Sequence, residues 1–448
     1  MIRSNQNIRS ENISNSFLIG KNQRWIIIVC LIFIIVLTFF PSLTNDFQME
    51  WDDQWMLLNH PMLLDQSLEN IWYYFTHFDR GQYFPLNQLY YMGIYRLFGF
   101  TPEAFHAGSF LLHLVNSGLV FILIWQWMKW IITSVTTNAI LGLVALITVV
   151  FAVHPLQVEA VAWISASKVL LYGTFTLVGL IGYLEYKRSG NILIFILVFL
   201  CYALSLMSKE QAILFPLNLV LFDFILHTYQ KVRFSRKVIL EKIPFFLLAF
   251  LFWYWSIQND LGAWNVVGAY PPDQRLVFGS YSLLIYIFRF LMPVNLLYFY
   301  GFPIVIGESI PLVYYIYVLL AVLFVLYLAD LYRQGKYIPF YGLMFFLINI
   351  LLVLHILPMP REMITADRYM YLGIVGLSIW AVWGISRILQ KFHEVGWMRY
   401  GIWSMILVVL IGYTVYSNVL TRKWENSDTI KQEVREYLEP SMKNIPEE

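Results

Sequence analysis

Residues 25–43 read WIIIVCLIFIIVLTFFPSL, a run of nineteen residues without a charged side chain. A helix needs about 20 predominantly apolar residues to cross the hydrocarbon core of a bilayer. The run is longer than the apolar region of a signal peptide, and no small-residue cleavage site follows it. It therefore predicts a first membrane span that is retained in the protein.

The composition of the whole chain agrees with this interpretation. Over 448 residues, 59% are hydrophobic and only 13% are charged, whereas about 25% of the residues in a soluble protein are charged. The net charge of +2 gives no sign of a nucleic-acid partner. Cys30 and Cys201 both lie inside apolar runs, so they predict no disulfide framework. These features predict an all-α polytopic membrane protein whose main partner is the lipid bilayer.

Apolar runs predict about eleven spans, and basic residues predict their direction. The spans are expected near 25–41, 105–128, 137–153, 169–186, 191–207, 211–228, 243–258, 311–331, 338–357, 368–387 and 400–419. Lysine and arginine collect before the first span and after every even-numbered span, which predicts that these loops face the cytoplasm. Residues 276–292 are apolar enough to cross, but counting them would break the alternation of charge. We therefore expect an interfacial or re-entrant helix there, on the outer face.

This scheme divides the chain into three parts. Residues 1–24 are expected to form a cytoplasmic tail, residues 25–420 the transmembrane domain, and residues 421–448 a short outward tail. The one long loop, 42–104, is predicted to lie outside. Within it, the spacing of apolar residues over 83–98 predicts an amphipathic helix on the membrane surface.

An acidic pair stands just beyond the first span. Asp52 and Asp53 are flanked by Trp51 and Trp55 in the segment WDDQW. Two carboxylates near a bilayer surface suit a general base or a divalent-cation site. A solvated acidic turn would give the same sequence.

The third predicted span ends in a second candidate segment, His154-Pro155-Leu156-Gln157-Val158-Glu159, which continues to Lys168. An imidazole, an acid and a lysine in one short segment could bind a phosphate and tune a carboxylate. Histidine and lysine at helix ends are also ordinary anchors at the membrane surface.

Arginine at membrane depth marks a third segment. Arg368 and Tyr369 precede the tenth predicted span, and a buried arginine tends to face a cavity or an anionic ligand. Its planar guanidinium suits a phosphate, although an internal pair with an acid such as Asp367 would explain it equally well. Lys209, in an outward turn, could bind phosphate or form a local ion pair.

Three polar residues share one face of the second predicted span: His106, His113 and Asn116. Polar residues at this depth more often hold helices together than bind a ligand. The sequence contains no glycine-rich phosphate loop and no nucleotide fingerprint. If the chain is an enzyme, we expect its donor substrate to arrive through the lipid.

Six segments in order resemble the membrane module of the transmembrane-and-tetratricopeptide-repeat O-mannosyltransferases and their bacterial relatives, which belong to the GT-C class of glycosyltransferases. The resemblance runs from about residue 52 to residue 424, and the segments read WDDQW, QYFPLNQLYY…LFGFTPEAFHAGSFLLHLVN, HPLQVEAVAWISASKVLL, LSLMSKEQAILFPLNLVLFD, YIFRFLMPVNLLYFYG and ADRYMYLGIVGL.

The resemblance implies a GT-C-like fold and an inverting transfer of a sugar, with mannose as the first candidate, from a polyprenyl-phosphate donor. The acceptor would be a protein Ser/Thr hydroxyl, a glycan or a lipid on the outer face. Asp52 and Asp53 match the family's catalytic position, with Asp52 favoured as the base. The remaining roles that the resemblance suggests are donor-phosphate binding by Arg368, Tyr369, Lys168 and Lys209, and support or acceptor contact by His154, Glu159 and His106. A divalent cation, if one takes part, would be held by Asp52, Asp53 and Glu159.

The chain also departs from the family. Phe84 stands where relatives often have arginine, Val169 stands where they often have aspartate, and the repeat domain that usually follows the last span is absent. We therefore expect the acceptor to be selected by other means. A transporter or flippase of lipid-linked sugars and an inactive scaffold with the same fold are the alternative functions. The outward loops carry no Asn-x-Ser/Thr sequence, which favours a bacterial inner membrane, with the site facing the periplasm, over the endoplasmic reticulum.

Overall fold

The computed structural model describes residues 24–131, 137–232, 235–259, 270–357, 363–432 and 435. Helices and turns make up these ranges, apart from an isolated bridge between Asp79 and Gln82. The α-helices are α1 (Arg24–Phe39), α2 (Pro61–Leu64), α3 (Leu68–Thr76), α4 (Pro85–Phe98), α5 (Pro102–Ile131), α6 (Thr137–Val153), α7 (Val158–Ala162), α8 (Ser167–Ser189), α9 (Ile192–Leu206), α10 (Phe215–Gln230), α11 (Arg236–Leu240), α12 (Ile243–Asn259), α13 (Pro272–Leu291), α14 (Tyr315–Arg333), α15 (Tyr337–Ile350), α16 (Gly373–Lys391) and α17 (Gly396–Lys423).

The described residues confirm the predicted all-α polytopic membrane protein. Nine of their helices are long and apolar enough to cross a membrane, or ten if α6 and α7 are counted as one bent span. Helix α9 is apolar but has only 15 residues. Each of the eleven predicted segments therefore coincides with a helix, although two of the eleven do not meet the span criterion alone.

The tenth predicted span was wrong at its start. Residues 368–372 do not belong to the long helix, because Asp367–Met370 form a buried 3-10 turn and α16 begins only at Gly373. The ninth predicted span also ends early, since α15 stops at Ile350 and a 3-10 turn follows. Asp367 and Arg368 make ion pairs with residues of other segments. A 3-10 turn therefore stands where the regular helix was predicted to begin.

Loops gather at two opposite ends of the helix bundle. At one end, residues that follow α1, α6, α9 and α15 contact one another; we call it the site end. At the other, the basic end, Lys187 in the last turn of α8 lies 2.7 Å from Glu241, which precedes α12. Gln230, the last residue of α10, donates to the carbonyl of Trp130 in the last turn of α5 at 2.7 Å. Neighbouring spans thus run in opposite directions, as the alternation of basic loops predicts.

The long loop between α1 and α5 is a folded layer with its own apolar core, which includes Met56, Tyr74, Phe84 and Tyr91. Helix α4 matches the predicted amphipathic helix: it buries Tyr91 and leaves Leu97 75% exposed. This layer covers the site end of the bundle, where Tyr91 donates to the carbonyl of Ile164 at 2.9 Å.

Helix α13 covers the predicted interfacial or re-entrant segment. The hydroxyl of Ser282 donates to the carbonyl of Ile364 at 3.2 Å, and that of Tyr286 accepts from the amide of Ala366 at the same distance. Nearer its start, Gln274 donates to the carbonyl of Glu308 at 2.8 Å. The second half of α13 therefore contacts the residues that precede α16, and the position of this helix relative to the membrane stays a prediction.

The two ends of the described chain lie side by side. Helices α1 and α17 pack together, and Asn418 donates to the carbonyl of Leu37 at 2.6 Å. Asn45 donates to the carbonyl of Thr421 at 3.0 Å. Beyond α17, the amide of Asp46 donates to the carbonyl of Glu425 at 2.8 Å. The residues after α17 thus pack onto the start of the long loop.

Candidate functional site

The site end is organised around residues 154–166, all of which are buried. Proline has no N–H and disfavours helix at the residue before it, so α6 ends at Val153 and His154 adopts an extended conformation before Pro155. The chain turns by 54° between the helical segments on either side of this break. Glu159, in the short helix α7, and Ser165, in the 3-10 turn that follows, therefore lie inside the protein.

The structure separates the two carboxylates of the acidic pair. Asp53 is fully buried; it accepts hydrogen bonds from the amides of Gln48 and Ser165, each at 2.9 Å, and from the Ser165 hydroxyl. Burial raises the pKa of Asp53 to about 6, against the effect of these hydrogen bonds. Both of its oxygens are used within the protein, so its geometry is that of a structural anchor.

Asp52 is half-buried and lines a cavity of about 690 Å³. Its Oδ1 accepts a hydrogen bond from the indole nitrogen of Trp55 at 2.9 Å. This bond orients the carboxylate at the cavity wall while leaving Oδ2 available. Adjacent aspartates therefore have different surroundings, and Asp52 is the one placed to meet a substrate.

The wall of this cavity comes entirely from the long loop between α1 and α5, and most of its side chains are polar. It is lined by Glu50, Trp51, Asp52, Gln54, Trp55, Asn59, His60, Tyr73, Asp79 and Arg80. The sequence alone indicated only the WDDQW part of this wall. The other titratable residues could have been found by listing the charged and histidine side chains of the same loop.

Two groups of the wall, His60 and Arg80, differ in their surroundings. His60 lies 2.9 Å from Asp79 through Nε2, and its Nδ1 lies 3.3 Å from the Tyr74 hydroxyl. The Arg80 guanidinium is exposed and lies 4.8 Å from the centre of the Trp55 ring. Among the residues that the structure describes, no acid lies within ion-pair distance of Arg80. The cavity thus carries a carboxylate at the indole nitrogen of Trp55 and a guanidinium over the ring of the same residue.

Arg368 is held by Glu159. Its guanidinium makes an ion pair with the Glu159 carboxylate, whose other oxygen accepts from the Arg368 amide at 2.7 Å. Both side chains are buried, and the guanidinium lies 5.1 Å from the centre of the Trp163 ring. Burial acts to lower the pKa of Arg368, but Glu159 and, more weakly, Asp52 raise it. The sequence left two roles open for Arg368, a ligand of an anion or a partner in an internal ion pair. The structure shows an internal ion pair, and its acid is Glu159 rather than Asp367.

Asp367 belongs to a neighbouring pair. It lies 3.4 Å from Arg289 of α13 and accepts from the Tyr300 hydroxyl at 3.3 Å. Burial raises the pKa of Asp367 above its usual range, although the charge of Arg289 opposes this. Two buried acid–arginine pairs therefore lie next to each other, and α13 contributes Arg289, which the sequence analysis did not single out.

The other predicted phosphate ligands also have partners within the protein. Lys168 donates to Gln82 at 2.7 Å, beside the ring of Phe84. Lys209 lies 3.2 Å from Glu210 and 5.6 Å from the centre of the Tyr369 ring. All three cations predicted to bind phosphate, including Arg368, are buried at the site end, but none lines the 690 Å³ cavity.

The histidines that the sequence analysis named are buried in the protein interior. His154 lies 3.0 Å from the carbonyl of Phe290 through Nε2 and accepts from the amide of Leu156 at 3.2 Å. His113 lies 3.0 Å from the Tyr371 hydroxyl, which Asn116 also contacts at 3.0 Å. His113 also contacts the carbonyl of Ala152 in α6, and Asn116 donates to the carbonyl of Leu170 in α8, so both join helices, as polar residues in spans commonly do. His106 is buried in α5 and is not part of the cavity wall.

The three acids proposed for a divalent cation do not gather at one point. Asp53 is bound by Ser165 and Gln48, and Glu159 is bound by Arg368. Within the described ranges, no group of three or more His, Cys, Asp or Glu side chains has the arrangement of a metal site. A cation at Asp52 stays a prediction.

Aromatic rings connect the acidic pair with the Arg368 segment. The ring of Trp51 lies 5.1 Å from that of Trp163 and 4.3 Å from that of Tyr298, and it stacks on Trp424 at 6.2 Å. Because Trp163 also contacts the Arg368 guanidinium, the three segments singled out in the sequence meet in one layer. That layer contains residues from the first loop, the α6–α8 connection, the turn before α16 and the segment after α17.

No protein-family model matches the chain, and comparison with curated proteins and with solved structures finds no match either. The described residues define a class: an integral, multi-pass, all-α membrane protein with a buried charged layer and a polar cavity at one end.

Proposed function

We propose that the chain is a GT-C-type glycosyltransferase that transfers a sugar from a polyprenyl-phosphate donor to a hydroxyl acceptor at the site end. The six segments that resemble the family support this, because the three richest in polar residues meet in one layer. A donor carried in the bilayer could reach that layer from the side. We further propose that this end faces the periplasm of a bacterial inner membrane, since the basic loops lie at the opposite end.

The observation that carries the proposal is the position of Asp52 in the wall of a 690 Å³ cavity. In the proposed reaction, Asp52 takes the proton of the acceptor hydroxyl. The acceptor oxygen then forms a bond with the anomeric carbon, and the bond from that carbon to the phosphate oxygen breaks. The polyprenyl phosphate leaves with the electron pair, and attack from the opposite face inverts the configuration.

The surroundings of the four predicted phosphate ligands suggest a change in their roles. Glu159 and Arg368 would act together as a brace that fixes the turn before α16, with the Arg368 charge already neutralised by an acid. Arg80 lines the same cavity as Asp52. Its guanidinium makes no ion pair with the described residues, so it can bind an anion. Because a guanidinium binds phosphate oxygens in a planar, bidentate manner, we propose Arg80 as a contact of the donor phosphate.

The test measures transfer of radiolabel from polyprenyl-phosphate mannose to acceptors in membranes that contain the full chain. Asp52→Asn should lower transfer by about 100-fold or more, within the usual range for loss of a general base. Asp53→Asn should lower the yield of folded protein more than the rate per folded molecule. Asp65→Asn is the matched control, since Asp65 is an exposed aspartate of the same loop outside the cavity wall.

Full transfer by Asp52→Asn, in membranes where the parent chain is active, would refute the catalytic assignment. Failure of the parent chain with mannose, glucose and galactose donors would instead favour the scaffold or transporter alternatives. A transporter would move polyprenyl-phosphate sugar between the leaflets of a vesicle without labelling an acceptor. Transfer with no such movement supports the enzyme.

A further inference from the structure

A groove at the basic end lies far from the candidate site. Its volume is about 570 Å³, and α10, α11 and α12 form its walls. The lining side chains are apolar except for two at its floor, and they are Val220, Asp223, Phe224, Val238, Ile239, Lys242, Ile243, Phe246, Leu247 and Phe250. Leu247 and Phe250 are each more than half exposed. An apolar groove with exposed side chains, between two helices long and apolar enough to cross a membrane, suits a hydrocarbon chain.

The charged floor of the groove is neutral overall. Asp223 makes ion pairs with Lys242 and with Lys187, the latter at 3.2 Å. Lys187 also lies 2.7 Å from Glu241. Two lysines and two acids therefore compensate one another, and the Tyr183 hydroxyl donates to Asp223 at 2.6 Å. The floor fixes the ends of α8, α10 and α12 and has no charge left over for a ligand.

The rim of the groove carries an excess of positive charge. Lys231, Arg236 and Lys237 are exposed, and none of them has an ion-pair partner among the described residues. Arg236 and Lys237 open α11, whose next residues, Val238 and Ile239, line the groove. Since α11 buries no side chain and leaves Ile239 64% exposed, it presents apolar and cationic groups to the membrane together.

We propose that this groove is a specific site for an anionic phospholipid. One acyl chain lies in the groove between α10 and α12, and the phosphate of the headgroup binds at Arg236 and Lys237. The occupant must be anionic because no acid among the described residues forms an ion pair with the cations at the rim. It must be a lipid because the groove below them is apolar and open to the bilayer. This site does not depend on the proposed glycosyl transfer.

The test uses the full chain, purified in detergent and reconstituted into nanodiscs. Binding of a fluorescent phosphatidylglycerol is measured by energy transfer from the protein's tryptophans, with the phosphatidylcholine analogue as the zwitterionic comparison. Each basic residue contributes about fivefold to the affinity for anionic lipid, so Arg236→Gln/Lys237→Gln should weaken binding by about 25-fold. Leu247→Trp, a change at an exposed position, should fill the groove and weaken the binding of both lipids.

The control is Arg387→Gln/Lys391→Gln, which removes two exposed cations near the end of α16 and leaves the groove intact. It should change binding by less than twofold. Equal losses in the control and rim variants would overturn the proposal in favour of general attraction to anionic membranes. Unchanged binding in Leu247→Trp would overturn it as well, because no chain would then lie in the groove. Equal affinity of the parent chain for the two lipids would show that the rim does not recognise charge.

Discussion

Replacing Arg368 by methionine is expected to destabilise the protein strongly. The substitution keeps much of the side-chain volume beside Trp163 but leaves the Glu159 carboxylate buried without its cation. Removing one partner of a buried ion pair costs about 3–5 kcal/mol of unfolding free energy. Glu159→Leu should cost a similar amount, because it leaves a buried guanidinium and also removes the acceptor of the Arg368 amide.

The double substitution Glu159→Leu/Arg368→Met should cost far less than the sum of the two. It leaves no unpaired charge, and the remaining loss is the hydrogen bond of the Arg368 amide, which is worth about 1–3 kcal/mol when a buried N–H is left without an acceptor. The free energies of unfolding can be measured by urea titration in detergent, with tryptophan fluorescence as the signal. The coupling energy should reach about 3 kcal/mol or more.

Two results would contradict this reasoning. Additivity of the three variants to within about 0.5 kcal/mol would show that Glu159 and Arg368 do not stabilise each other. A stable Arg368→Met protein that has lost donor binding would show that the guanidinium serves the ligand first and the ion pair second. Donor binding is therefore measured on each variant beside its stability.

Two further predictions follow from burial and close packing. Because burial raises the pKa of Asp53 from 3.8 to about 6, folding favours its protonated form, so its contribution to stability is full below pH 4 and is lost as the pH rises through 6. The free energy of unfolding should change by about 3 kcal/mol over this pH range. Asp53→Asn should abolish this part of the pH profile of unfolding, whereas Asp52→Asn should keep it. A methyl group on Gly376 would collide with the carbonyl of Gly342 on the facing helix, so Gly376→Ala should cost about 1–3 kcal/mol in a urea titration. Gly384→Ala, in the same helix but facing open space, should be neutral or stabilising by up to about 1 kcal/mol; equal losses in the two would show that α15 and α16 do not approach so closely.

The spans could be predicted because membrane insertion depends on local composition. An uncharged run such as residues 25–43 must become a helix wherever it meets hydrocarbon, since its backbone has no other way to form hydrogen bonds there. The exceptions arise from contacts distant in sequence. Arg368 lies in an apolar context that favours a continuing helix, yet it forms a 3-10 turn and pairs with Glu159, 209 positions earlier.

The details of the site depended on the same kind of distant contact. The sequence pattern does not distinguish Asp52 from Asp53, because part of the difference comes from Ser165, which lies 112 positions away and binds only the second carboxylate. The sequence indicated three polar segments, and the structure brings their residues together in one layer. The sequence did not indicate that His60, Asp79 and Arg80 share a cavity wall with Asp52, because helices α2 and α3 bring them there.

The contact between the first loop and the segment after α17 sets an order for the assembly of the protein. Gln48 donates to the carbonyl of Trp424, and Ser427 donates to the carbonyl of Met49, so the supports of the acidic turn are more than 370 positions away in the chain. A ribosome delivers the acidic turn first and these supports last. The nascent chain must therefore carry an incomplete site through the insertion of every intervening helix, and the site can mature only when α17 reaches α1.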